Sequence, residues 1–181
     1  AAKTTNHGRM PGGWFINKEK SGGGAVMDHT PHVVDLLRWF MKAEPVEVYA
    51  EIDNKFYKMD IDDTGILTIQ FDNGVFATLD TSWSRTKSYP TGGDVTLEIV
   101  GTDGIISIDS FAQDFDLYSD ANMKAEWVYW GDNMDMGLVK DFIASIKGEK
   151  PFQIKGEDGL QALKVALGAY ESAKAKNPVK I

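Results

Sequence analysis

Cysteine is absent from the 181 residues, which excludes disulfides and thiolate metal sites. Long apolar runs are absent too, and nothing approaches the ~18 residues that a membrane span needs. Positive charge is in deficit. Nineteen Lys and Arg stand against 27 Asp and Glu, a net charge of -8. Phosphate backbones and anionic membranes are held mainly by clustered Lys and Arg, so neither nucleic acid nor a membrane surface is an expected partner. The first residue is alanine rather than methionine, and residues 1–8 carry no apolar core of a signal peptide. We therefore expect a chain cut from a longer one and, with no cysteine and no signal, a cytoplasmic location. Finally, Gly-x-Gly-x-x-Gly appears nowhere between a strand and a helix. Gly22-Gly23-Gly24 is accordingly not read as a phosphate loop, and no dinucleotide fold is encoded.

The composition is that of one globular domain over residues 1–181, with 43% hydrophobic and 25% charged residues. Residues 1–24 are rich in glycine and polar groups and read as a strand remnant followed by a long loop. Residues 25–42 carry Val33, Leu36, Leu37 and Phe40 at helical spacing. Thr30-Pro31 is a cap and first-turn pair, which puts the start of the regular helix there and makes any earlier turn separate or kinked. Beyond Pro45 the period changes to two. Residues 46–54 read as a strand, and residues 64–71 and 75–84 as a hairpin around Asp72-Asn73-Gly74. A second hairpin pairs 94–100 with 105–109, and further strands lie at 115–119 and 126–130. Helices over about 135–147 and 157–176 close the chain. This order predicts an α+β fold: an open, mostly antiparallel sheet with helices packed on one face. Along 75–83, Val75, Ala77, Leu79, Thr81 and Trp83 form one side. Phe76, Thr78, Asp80 and Ser82 form a mixed second side, solvated or packed on another copy of the sheet.

Two of the three histidines lie in the stretch from Ser21 to Asp35. Asp28 and His32 are four apart, within side-chain reach on one helical face. A carboxylate beside an imidazole can move a proton on and off a hydroxyl near neutral pH. The ordinary alternative is a helix cap and a hydrogen-bonded core histidine, because this spacing is common. A metal site is another reading, with Asp28, His29, His32 and Asp35 as nitrogen and oxygen ligands. No further histidine occurs downstream to complete a nitrogen-rich site, so no metal is assigned. Arg9 and Trp14 before the cluster, and Trp83 and Arg85 at the end of a strand, are aromatic and cationic groups suited to a hydroxylated ligand. Each is equally an ordinary surface or core-edge residue.

The run Gly22-Gly23-Gly24-Ala25-Val26-Met27-Asp28, continued by His32-Val33-Val34-Asp35-Leu36-Leu37-Arg38-Trp39, resembles the C-terminal domain of the Gfo/Idh/MocA oxidoreductases. That family includes glucose–fructose oxidoreductase and inositol dehydrogenase. Asp72-Asn73-Gly74-Val75, the phrase from Leu97 to Gly104, and Asp158-Gly159-Leu160-Gln161-Ala162-Leu163 fall where the family has similar phrases. The resemblance implies a two-domain enzyme whose N-terminal Rossmann half binds NAD or NADP and whose C-terminal half carries substrate residues and often mediates oligomers. It implies that His32 is the general acid/base for the reacting hydroxyl and that Asp28 orients it. The family's catalytic lysine belongs to a Glu-Lys-Pro motif of the Rossmann half. Glu149-Lys150-Pro151 spells that motif too late in the chain to be its counterpart. His29 and Pro31 depart from the commonest family pattern, and His29 becomes a candidate for substrate choice. The expectation is an oxidoreductase half that is inactive alone, with its own Rossmann domain, a hydroxylated small molecule and further copies of itself as partners. The rivals are a non-catalytic oligomerisation or binding module and the Asp/His metal site.

Overall fold

A computed structural model describes residues 1–181. Seven strands form one open sheet in the order β6-β5-β1-β4-β3-β2-β9. They are β1 (Ala2–Arg9), β2 (Pro45–Asp53), β3 (Thr64–Phe71), β4 (Phe76–Arg85), β5 (Gly93–Val100), β6 (Ile105–Asp109) and β9 (Val179–Lys180). All neighbours run antiparallel except β1 and β4, which are parallel. The strands β7 (Asp114–Ser119) and β8 (Lys124–Tyr129) pair only with each other, as a separate hairpin. Helices α2 (Ala25–Met41) and α4 (Gly156–Ala175) cover one sheet face, while α1 (Lys18–Ser21) is a single turn and α3 (Met134–Ile146) stands apart. The α+β architecture is the one the alternating pattern predicts.

The core lies between the two covering helices and the sheet. Val33, Val34 and Leu37 of α2 and Val165 and Ala169 of α4 meet Val48, Leu67, Ile69 and Leu79 of the strands, all fully buried. The helical spacing of the first group and the alternation of the second make one continuous apolar layer. On β4 the faces divide as the alternation predicts. Ala77, Leu79, Thr81 and Trp83 are fully buried, whereas Phe76 on the other side is half exposed.

Two expectations are corrected. The opening residues are not a strand remnant: β1 is an eight-residue central strand between β4 and β5. Its helix-facing side is Ala2, Thr4, Asn6 and Gly8, small and polar, so no apolar alternation marks it. The segment between β1 and α2 is not all loop either, since a 3-10 turn at Gly13–Ile16 precedes α1. Nor does α2 begin at Thr30-Pro31: it runs from Ala25 with Pro31 inside it. The cause is a cap from outside the segment. Asp62, in the connection before β3, accepts hydrogen bonds from the Gly24 and Val26 N–H groups, both at 2.8 Å, and its carbonyl accepts from Ala25 N–H at 3.1 Å. Three backbone donors that a helix start leaves unpaired are satisfied by one residue distant in sequence. Gly24 permits this approach, because a Cβ there would stand 1.8 Å from the Asp62 carbonyl oxygen.

Candidate active site

The start of α2 is fixed to the sheet at several points. Tyr170 of α4 donates to Asp62 Oδ1 at 2.7 Å and accepts from Gly24 N–H at 3.1 Å. Burial, then the charge and hydrogen bond of Asp62, push the Tyr170 phenol far above its usual range, so it stays a donor. Thr81 of β4 donates to the Ala25 carbonyl at 3.1 Å. Asn6 of β1 donates to the His29 carbonyl at 3.4 Å and its own carbonyl lies 2.8 Å from His29 Nδ1. Gly8 leaves room for this ring, since a Cβ there would lie 3.1 Å from His29 Cε1 and Nε2. Helix, two strands and a second helix therefore hold the residues 24–30 in one place.

On this frame Asp28 and His32 line a cleft of about 280 Å3. Trp14, Met27, Pro31 and Trp83 supply its apolar wall. His32 is exposed, so the ring is not sealed in hydrocarbon. Trp14 is 55% exposed and stacks on Phe15 at 4.0 Å between ring centres. Trp83 is fully buried, yet its indole edge reaches the cleft and donates to Asp28 Oδ2 at 3.1 Å. The nearest ionisable partner of Asp28 is not His32 but His29, whose Nε2 lies 3.3 Å from the same oxygen. No Asp28 oxygen comes within 4.0 Å of a His32 nitrogen, although both side chains open into the same space. Burial pushes the Asp28 carboxyl up. The hydrogen bond and electrostatic pull of His29, the Trp83 N–H and the field of His32 outweigh it and hold the group below its ordinary 3.8.

The remaining expected residues lie elsewhere. Arg85 is on the far side of the sheet from Asp28. The pairing of β1 with β4 shifts between His7–Ser82 and Arg9–Arg85, inserting one extra β4 residue. Such a bulge reverses the side on which the next residues emerge. There Arg85 Nε donates to Asp94 Oδ2 at 2.6 Å and its Nη2 donates to His7 Nδ1 at 3.1 Å. Arg9 hydrogen-bonds to the Tyr89 carbonyl beside this group. The structure thus brings Asp28, His32, Trp14 and Trp83 to the cleft, leaves His29 buried behind Asp28 and outside the lining, and does not bring Arg9 or Arg85 to them. Asp28, His29, His32 and Asp35 do not converge into a metal-binding group. Sequence reasoning missed Asp62 and Tyr170, which position the cleft, because neither lies in a local cap motif. It also missed the far-side cluster of His7, Asp80, Asp94 and Arg85, which depends on the central place of strand β1 in the sheet.

A larger cleft, about 490 Å3, opens at the other end of α2 around Arg38. Its central cation is already paired: Arg38 donates to both Glu44 oxygens at 2.7 and 2.8 Å and to Asp158 Oδ1 at 3.3 Å. Size alone does not make it the site, since its central guanidinium is already held by two carboxylates.

Over residues 2–107, more than half of its length, the chain matches the family described as the GFO/IDH/MocA C-terminal domain. It belongs to that family. Among curated relatives, the myo-inositol 2-dehydrogenase of Thermotoga maritima is 28% identical over 169 residues, covering 88% of this chain and 49% of that protein. Among solved structures, GenD2 from gentamicin A biosynthesis in complex with NAD superposes with a TM-score of 0.84 at 22% identity, covering 99% of this chain and 54% of that one. A levoglucosan dehydrogenase complex with NADH and L-sorbose gives a TM-score of 0.78 at 20% identity, covering 99% of this chain and 57% of that one. At these identities the structures establish the shared fold. The chain spans about half the length of the curated relatives it matches. No helix is long and apolar enough to cross a membrane.

Proposed function

We propose that the chain is the substrate-binding and catalytic half of an NAD- or NADP-dependent oxidoreductase acting on a sugar, a polyol or a related hydroxylated compound. The supporting observation is the cleft in which an exposed imidazole, His32, opens beside a carboxylate, Asp28, that the protein anchors by one oxygen only. Asp28 Oδ2 is engaged by Trp83 and His29, while Oδ1 has no hydrogen-bond partner in the chain and is free for a substrate hydroxyl. His32 takes the proton of the reacting hydroxyl on oxidation and returns it on reduction. Trp14 offers the flat apolar surface on which a sugar or polyol carbon face rests, and the indole edge of the buried Trp83 closes the cleft behind Asp28.

A cleft of about 280 Å3 suits a monosaccharide-sized ligand and the reactive ring of a cofactor, not a whole dinucleotide. When bound, the nicotinamide supplies or accepts the hydride. The rest of the cofactor falls to an N-terminal Rossmann half, so the chain alone is expected to be inactive. Helix α3 supports a partner half, since Leu138 and Ile146 are 71% and 63% exposed and Phe142 is 55% exposed. A helix apolar on its open side is normally covered in the complete molecule. The absence of cysteine and the acidic charge fit a cytoplasmic protein.

The second reading is a module that only pairs copies through the open sheet face. Ile66 and Phe76, 58% and 52% exposed on that face, favour some pairing of copies there, and such pairing is compatible with catalysis as well. Replacing His32 by alanine in the intact enzyme separates the two readings. Catalysis predicts a fall in kcat of about 10²–10⁴-fold with folding preserved. Unchanged turnover would leave the pairing module as the better account.

A further inference from the structure

The three histidines differ in what faces their rings. His7 has an arginine at one ring nitrogen: Arg85 Nη2 donates to its Nδ1 at 3.1 Å, with Asp94 Oδ1 3.4 Å from the same atom, and its Nε2 lies 3.3 Å from Asp80 Oδ1. His32 is exposed to solvent. His29 differs from both. Its side chain is 10% exposed, and both ring nitrogens face oxygens: the Asn6 carbonyl at 2.8 Å and Asp28 Oδ2 at 3.3 Å. A peptide carbonyl only accepts, and so does an ionised carboxylate. A neutral imidazole has one N–H to offer. With that proton on Nδ1, a lone pair meets the carboxylate. With it on Nε2, a lone pair meets the carbonyl at 2.8 Å. Turning the ring over would aim carbon at both oxygens and lose both contacts.

We propose that His29 carries a proton on each ring nitrogen and shares the second with Asp28 Oδ2, so that Asp28 in the cleft wall and His29 buried behind it form one proton-holding unit. The groups around the ring support this. From its own helix, Asp28 is the only carboxylate within 4.0 Å. Strand β1 presents Asn6 and Gly8, and β4 presents Trp83, all uncharged. No competing cation takes the Asp28 oxygen that faces the ring. His29 is thereby a positioning residue. Together with the Trp83 N–H, its Nε2–H holds Oδ2 by two donors and turns Oδ1 to the cleft. The unit is neutral as a whole, which places an accepting oxygen beside His32 without a net negative charge. This consequence for catalysis rests on the function proposed above; the proton count does not.

The test is the long-range proton–nitrogen correlation spectrum of the 15N-labelled 181-residue chain at pH 7. His29 is assigned through contact of its Hε1 with the Gly8 α-protons, and His32→Ala removes the exposed ring's signals. Both His29 nitrogens should read as protonated in the parent chain. Asp28→Asn removes the negative partner and should leave a proton on Nδ1 alone. A singly protonated His29 in the parent chain would overturn the proposal. So would a doubly protonated ring that persists unchanged in Asp28→Asn. The spectra need neither cofactor nor substrate, so this result stands apart from whether His32→Ala slows turnover.

Discussion

Replacing Asp62 by alanine removes three hydrogen bonds from the start of α2 at once: two from backbone N–H groups at 2.8 Å and one from Tyr170 at 2.7 Å. The residue is buried, so water does not readily replace the lost acceptor. Loss of a helix cap costs about 0.5–2 kcal/mol. Each hydrogen bond to a charged group is worth about 1.5–3 kcal/mol, and a buried donor left unpaired costs about 1–3 kcal/mol. These ranges describe overlapping effects and do not add. Tyr170 retains its bond with Gly24 N–H, and the Asp62 carbonyl still accepts from Ala25, so part of the cap survives. We therefore expect a loss of about 3–4 kcal/mol. With a urea slope of about 2 kcal/mol per M, the unfolding midpoint should fall by about 1.5–2 M at unchanged slope. Tyr170→Phe should cost about 1 kcal/mol, and the double variant less than the sum of the two single losses. A loss below about 1 kcal/mol for Asp62→Ala, or strict additivity with Tyr170→Phe, would refute the remote cap.

Glycine at 24 should be irreplaceable, because alanine places a Cβ 1.8 Å from the Asp62 carbonyl oxygen. A loss of about 3 kcal/mol or more is expected for Gly24→Ala. The same change at Gly12, which has open space around it and no positive φ, should be nearly silent in the same unfolding series. Leu37→Ala opens a hole at a fully buried core position and should cost about 2–5 kcal/mol, read by denaturant unfolding. Asp28 sits below its ordinary 3.8 in the folded chain. The stability it contributes is therefore complete above that value and is lost as pH falls through the lower folded value. The unfolding midpoint of the parent chain should drop more between about pH 5 and pH 2.5 than that of Asp28→Asn; equal drops would show that the carboxylate is not held.

The cleft was legible in part because its two lining groups, Asp28 and His32, sit on one helix at a spacing that fixes a common face. Trp83 was legible as a neighbour because β4 alternates cleanly up to it. Arg85 was not, since a bulge is a feature of two paired strands and no single-strand pattern carries it. The length and central place of strand β1 escaped notice for a related reason. Its covered side is made of Ala2, Thr4, Asn6 and Gly8: only Ala2 joins the apolar core, Thr4 bonds the Thr78 carbonyl, and Asn6 and Gly8 meet His29. The cap on α2 was hidden by distance, and Thr30-Pro31 took its place because local cap rules see only adjacent residues. The position of Pro31 inside the helix has the same origin: a start fixed at Ala25 by Asp62 and Thr81 carries the chain through a position where the Met27 carbonyl lacks its usual donor.

The same parallel strand bears on both sheet faces. On one side Asn6 and Gly8 of β1 receive the ring of His29. On the other, the intervening His7 stands among Asp80, Asp94 and Arg85. Alternation along a single strand therefore separates two histidine–carboxylate groups by no more than the thickness of the sheet. Their chemistry differs because their partners differ: an arginine supplies the donor at His7, while at His29 the ring itself must supply both. Charge placed on the open face has a short rigid path to the cleft through the backbone of β1. An Asp94→Asn substitution, which removes the charge that pairs with Arg85, should be felt in the His29 signals if β1 shifts and should leave them unchanged if the strand is rigid. The close approach of Gly8 to the His29 ring favours the second outcome, because the packed ring leaves the strand no slack.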